Sequence, residues 1–435
     1  MVYDTINRCN EIMFRGVPMK DKHMENERLS LLLFLTVFVI YAFTYMTKNC
    51  YAAAMALLVE ENVLTKTQTG TIGAAFYLIY APFQIIGGMA ADKYSPYKLI
   101  AIGLLGGAIA NIVISFTNNY YVMIVTWSLN AAAQFGIWPS VFKIVSTKLS
   151  PVHRHNGIFY IMFATSGGLI LSYIFAGFAK TWRSNFEISA ITLVVCFVIW
   201  VVTGRYFDKR MVDDEEHSHG VAHLPEHTMP QKNKEGGFGK LMMTSGLFIL
   251  LPAIIIRTVF EQGIQTVIPT MITESYDSVS ASFASVLNLV PIFFGIFGKT
   301  AMNFIYRRKA YNQSMALAVM FVLLVPLLGS MLLIGKINMW IILAIVSIVI
   351  LIAAAGSYIA TYMAVPFTKY GFNGTAAGIL NAMASLGIVV GNFALTRIAD
   401  SFNWSTVWIV LTVMSAAGCV LCLIAFVPWK KFILK

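Results

Sequence analysis

"GIFYIMFATSGG", residues 157–168, and "GILNAMASLGIV", residues 378–389, decide the architecture of this chain. Gly157, Ile158 and Met162 in the first match Gly378, Ile379 and Met383 in the second at one common offset. Each stretch then runs through small residues to a tryptophan after an aromatic, Trp182 and Trp404. The two segments read as copies, and the chain as two halves of like plan. Both lie in long apolar runs. The 435 residues are 58% hydrophobic and only 12% charged, whereas a soluble domain is about 45–50% apolar and about 25% charged. The excess comes in blocks of roughly 20 or more apolar residues, the length a helix needs to cross hydrocarbon about 30 Å thick. The bilayer is therefore the solvent for most of the chain, which excludes the disordered, collagenous and disulfide-rich classes.

Twelve spans are predicted, near 29–58, 69–91, 99–117, 120–147, 156–178, 186–206, 242–272, 280–305, 314–335, 338–364, 374–400 and 404–428. They give an all-α membrane protein of two six-helix bundles, 29–206 and 242–428. A polar cytoplasmic tail, 1–28, precedes the first bundle, and it holds no apolar signal-peptide region. A polar cytoplasmic linker, 207–241, joins the bundles, and 429–435 forms a short C-terminal tail. With both termini inside, cytoplasmic segments carry 22 of the 31 lysines and arginines, outer segments five, and spans the remaining four. That bias sets the orientation and makes the +11 net charge a topology signal. A nucleic-acid partner would require a basic face on a soluble element, and these charges are scattered over short loops. The linker holds His217, His219, His223 and His227, read as a solvated cluster rather than a metal site. Cys419 and Cys422 have CxxC spacing without a second pair or polar neighbours, so they read as packing residues. No cofactor, metal or catalytic constellation is expected, and the protein is not expected to be an enzyme.

A loop motif follows the second span. "GGMAADKYSPYK", residues 87–98, carries Gly88, Asp92, Lys93 and Lys98 in the places used by the major facilitator superfamily. Asp92 suits the end of a neighbouring helix, and the basic residues suit the cytoplasmic surface. Twelve spans in two repeats joined by a cytoplasmic linker is that superfamily's plan, with solute bound at mid-membrane between the repeats.

Ionisable residues inside spans are costly and mark function or pairing. Lys48, Lys143, Arg257, Glu261 and Lys299 are the candidates. Tyr41, Tyr45 and Lys48 recur at steps of four and three, so they share one helix face, with Asn49 to the side. Tyrosine hydroxyls and an ammonium suit an oxyanion or a sugar; the alternative is a lysine snorkelling to the interface. In "IIIRTVFEQGIQTVIPT", Arg257, Glu261 and Gln265 share a face at steps of four. They can pair structurally, or one can bind solute charge while Glu261 carries a proton. "AAAQFGIWPSVFKIV" sets Gln134 and Trp138 four apart, puts a kink at Pro139, and ends near Lys143. Lys299 follows Gly295 and Gly298 and can snorkel to the cytoplasmic side.

The chain resembles the organophosphate:phosphate antiporter branch of the superfamily. Tyr45, Lys48 and the run Ala52 to Met55 match its span-one pattern of tyrosine, arginine and alanine-rich tail. Gly136, Trp138, Pro139 and Lys143 are similar to its span-four stretch, and "GTAAG" at 374–378 to its span eleven. The resemblance implies solute contact by Lys48. The departures are specific. Lysine stands for the first substrate arginine, Glu261 falls where the second is expected eight residues before Pro269, and Ala164 falls where a histidine is expected. Arginine grips phosphate bidentately and lysine does not. The expectation is a monomeric, plasma-membrane secondary transporter of a small polar or anionic solute by alternating access, with a proton or phosphate as coupling ion. Phosphate-ester exchange and sensing of sugar phosphate are the alternatives.

Overall fold

The computed structural model describes residues 24, 26–178, 181–210, 237–276, 279, 287–308, 312–334 and 338–434. The tail to residue 23 and the histidine-bearing part of the linker, 211–236, lie outside the described residues.

The helices, in order, are α1 (Glu27–Glu60), α2 (Lys66–Lys93), α3 (Pro96–Ser115), α4 (Tyr120–Ala133), α5 (Ile137–Lys143), α6 (Pro151–Phe178) and α7 (Trp182–Asp208). The second half follows with α8 (Phe238–Thr244), α9 (Leu247–Thr258), α10 (Ile264–Ser275), α11 (Leu289–Arg308), α12 (Gln313–Ile334), α13 (Met339–Tyr362), α14 (Asn373–Ser401) and α15 (Trp404–Leu434). Nine helices among the described residues are long and apolar enough to cross a membrane, and the bent pair α8–α9 makes a tenth. The other two predicted passes correspond to α4–α5 and α6.

Local chemistry sets the ends. Thr65 and Gln68 form a reciprocal capping box at the start of α2, satisfying two donors that the first turn leaves free. Asn119 accepts from the amides of Tyr121 and Val122 and starts α4; Asn338 accepts from the amide of Trp340 and starts α13. Pro96 opens α3, where its missing N–H costs nothing. Between α8 and α9 the axis turns by 79°, and Gly246 at the corner has φ +76°, a conformation that glycine adopts without strain. The predicted break near Pro139 is present. A tight turn over Gln134–Gly136 separates α4 from α5, and a π-turn over Ile144–Lys148 ends α5. A second π-turn, Val259–Gly263, joins α9 to α10.

The chain forms two compact units. Of the described residues, one takes those up to Arg210 with Ala364–Ala382, the other those from Gly237 to Met363 with Met383–Leu434. Packing within the two units follows a like pattern. In the first unit α3 packs on α7, α2 on α4, and α1 on α7. In the second the corresponding partners recur: α12 on α15, α11 on α13, and α9 on α15. The outward sides of these helices are apolar, as in Leu31, Leu35, Val195, Val202, Val322 and Val413. Such a surface suits lipid and not water.

Candidate functional site

In the first unit the site is built on α1. Gly168 of α6 lets that helix approach, because a Cβ there would stand 2.3 Å from the Ala42 carbonyl oxygen and 2.8 Å from the Tyr45 Cβ. Tyr41, Tyr45 and Lys48 follow up one face. The Tyr41 and Tyr45 rings meet edge to face at 6.3 Å, and Tyr41 lies 5.4 Å from Trp138. Lys48 extends towards α2, and its Nζ sits 3.8 Å from the centre of the Tyr80 ring. Tyr77, Tyr45 and Phe76 complete a cage at 5.2, 5.5 and 5.7 Å. Each good cation–π contact contributes about 0.5–2 kcal/mol, so the cage offsets part of the cost of an ammonium at this depth. No hydrogen bond or ion pair reaches that ammonium among the described residues, so its charge is available to an anion.

Polar groups behind the cage are linked to each other. The Tyr80 hydroxyl lies near the Asn381 side chain. Asn381 Nδ2 donates to Gln84 Oε1 at 2.9 Å, and Gln134 Nε2 donates to Asn130 Oδ1 at 2.8 Å. Gln134 is buried and engaged within its own bundle. Asn49 donates to the Tyr45 carbonyl on its own helix at 2.7 Å. Lys143 donates to the Ala91 carbonyl at 2.7 Å, at the C-terminus of α2, where a cation is favoured by the helix dipole. The loop motif acts at the same end. Asp92 accepts from the amides of Gly374 at 2.8 Å and Thr375 at 2.7 Å, and from the Thr375 hydroxyl. It thereby caps the start of α14. Gly88 is pressed against that helix, where a Cβ would lie 2.6 Å from the Gly374 oxygen. Lys93 and Lys98 are exposed.

The second unit carries a separate charged group. Arg257 on α9 donates through Nη1 to Glu261 Oε2, and through Nη2 to Thr258 Oγ1 at 2.7 Å. Lys299 of α11 lies 3.3 Å from Glu261 Oε1. Arg257 and Glu261 are buried, and Glu261 sits in the π-turn, a distortion that recurs at functional sites. Gln265 is half-buried one turn further along, on α10.

The sequence pattern singled out Lys48, Arg257 and Glu261 but not their full surroundings. Phe76, Tyr77 and Tyr80 are aromatics in an aromatic-rich apolar helix; only their common spacing could have signalled a cage. Lys299 stands 38 positions from Glu261 in the chain, and no local signal links them. Among the described residues no group of three metal-binding side chains occurs.

The profile of the Major Facilitator Superfamily matches residues 37–392. The chain belongs to that superfamily. It is thus a multi-pass membrane protein. The solved structure of FucP, described as a Major Facilitator Superfamily transporter in the outward conformation, superposes with a TM-score of 0.66 at 14% identity, covering 91% of this chain and 99% of that one. That likeness shows the fold. Sequence relatives include the membrane sensor protein UhpC of Escherichia coli (strain K12), 25% identical over 180 residues, 40% of each chain. The glycerol-3-phosphate transporter of Bacillus subtilis (strain 168) is 28% identical over 182 residues, 40% of this chain and 41% of that one. The chain spans about two fifths of the length of the curated relatives it matches. These relatives are of the branch that the span-one and span-four motifs resemble.

Proposed function

We propose that the protein is a secondary active transporter that moves a small, polar, anionic organic solute across the plasma membrane by alternating access, driven by protons. The observation that carries this reading is the caged ammonium of Lys48, a charge in a membrane-spanning helix with no counter-ion among the described residues. An ionisable group at that depth is expensive and is retained for a charged ligand or pathway. The aromatic edges and hydroxyls around it suit a solute with a polyol or other polar body beside its anionic group. Arg257, Glu261 and Lys299 form a separate charged group in the second half, with Glu261 as the proton carrier. Both termini belong on the cytoplasmic side in this reading, because lysine and arginine are concentrated there.

A second reading is exchange of a phosphate ester for phosphate. Its support is the similarity to the glycerol-3-phosphate transporter. Against it stand lysine and glutamate at the two positions where phosphate recognition by arginine is expected. Purified protein in liposomes tests both with a panel of sugar acids, other organic anions and phosphate esters, with and without a pH gradient. Accumulation of a sugar acid that collapses when the gradient is removed is the expected result. Exchange against internal phosphate, indifferent to the gradient, would establish the second reading instead. No flux in any condition would favour a sensor of the kind named for UhpC.

A further inference from the structure

Glu261 stands between two cations, one on each carboxylate oxygen. Oε2 accepts from Arg257 Nη1, and Oε1 faces Lys299 Nζ at 3.3 Å. A pair made for stability needs one cation. The second leaves the group with one formal positive charge in excess, although the Arg257 and Glu261 side chains are 5% and 9% exposed and that of Lys299 is 12% exposed. No other carboxylate pairs with either cation among the described residues. Excess charge so deep in apolar surroundings is costly to keep. Arg257 also holds a buried Nε–H with no partner, a donor that a native interior seldom leaves idle. Its stem lies against Gly356, where a Cβ would come within 3.2 Å of Cδ. The missing side chain thus keeps room for that stem and for the Met320 sulfur, which a Cβ would meet first.

We propose that Arg257 and Lys299 form the binding site for a carboxylate of the transported solute, and that Glu261 occupies it as a tethered stand-in when no solute is bound. The proposal rests on the transport reading and names its solute class: a monocarboxylate such as a sugar acid. The stand-in is itself a carboxylate, and each oxygen meets a different cation, as the oxygens of a solute carboxylate would. Charge sets the class further. Until Glu261 takes up its proton, a monocarboxylate brings the negative charges to two, against the two positive ones of Arg257 and Lys299. A phosphate dianion brings them to three, and the like-charge excess disfavours it. Glu261 is therefore the residue that selects against phosphate.

Chemical rescue tests the site on the full chain in detergent, with melting followed by tryptophan fluorescence. Glu261→Ala removes the stand-in and leaves two cations facing each other, so it should melt below wild type in chloride. Acetate at matched ionic strength should raise its Tm saturably by about 5 °C, leave wild type unmoved, and lose its effect in Glu261→Ala/Lys299→Gln. An unresponsive Glu261→Ala, or an equal response to chloride, overturns the proposal. If the variant cannot be recovered in chloride, it should be recovered when acetate is present throughout purification; failure in both overturns it as well. The solute class is read in liposomes, where wild type should take up gluconate at least tenfold faster than glucose 6-phosphate. The reverse preference overturns the class and leaves transport standing. The melting arm decides the anion site even for a chain that moves nothing, so the two readings fail separately.

Discussion

A lysine in the middle of a lipid-facing bundle is tolerated only if something compensates its charge. At Lys48 the compensation is four aromatic rings, the nearest 3.8 Å from the ammonium, with no carboxylate paired to it among the described residues. Rings stabilise the cation without neutralising it, so the position stays attractive to an anion. Lys48→Gln should lower uptake at least tenfold while the protein still inserts and purifies in normal yield; retained uptake would reduce the residue to a snorkelling lysine. Tyr80→Leu removes the closest ring and should raise the apparent KM about tenfold, the equivalent of roughly 1.4 kcal/mol, whereas Tyr80→Phe keeps the ring and should change it less. The Glu261 group makes the opposite trade. Lys299→Gln removes the excess positive charge and should raise Tm by about 2–4 °C, while gluconate uptake falls more than tenfold. A gain in stability with a loss of function is the signature of a group held for its ligand. Residue chemistry of this kind was legible where a charge interrupts an apolar run, as at Lys48, Arg257 and Glu261. It was not legible for Tyr77 or Tyr80, because an aromatic in an apolar helix is unremarkable until its neighbour across the helix interface is known.

At the scale of the element, the start of α14 is held by several side chains of the preceding helices. Asp92 caps it with two backbone bonds and one to a hydroxyl. Asn373 Nδ2 donates to Ser146 Oγ at 3.0 Å, and Asn381 donates to Gln84. The charge of Asp92 faces the positive end of the helix dipole. Asp92→Asn loses that charge and weakens the cap, at a cost of about 0.5–2 kcal/mol. Hydrogen exchange at the Gly374 and Thr375 amides should accelerate, with the rest of α14 unchanged; uniform protection would show that the cap is not what holds this turn. Gly378 of the same segment admits no side chain, because a Cβ would stand 2.4 Å from the Gln84 oxygen. Gly378→Val should therefore lower the yield of folded protein severely, by forcing backbone from backbone. The motif around Asp92 was readable in the sequence, with its placement after span two. Its receptor was not. Gly374 is 282 positions away, and the sequence offered only a run of small residues, "GTAAG", read as permitting close packing.

For the whole molecule, helix pairings within one unit, α3 on α7 and α2 on α4, have equivalents in the other, α12 on α15 and α11 on α13. Orientation is a property of the entire chain, summed over short loops. A green fluorescent protein fused after Lys435 should fluoresce, and alkaline phosphatase at the same position should be inactive; the opposite pair of results would invert the topology. By itself the sequence determined that the chain lives in a bilayer, that it crosses twelve times in two related halves, and which few ionisable groups are embedded there. Those features are written locally, in the length of apolar runs, the side on which lysine and arginine collect, and the cost of a charge among them. Tertiary structure alone decided what those groups face: aromatic rings for Lys48, a second cation for Glu261, and a helix start for Asp92. Such partners lie on helices far apart in the chain, and packing of whole helices, not spacing along one of them, brings the partners together.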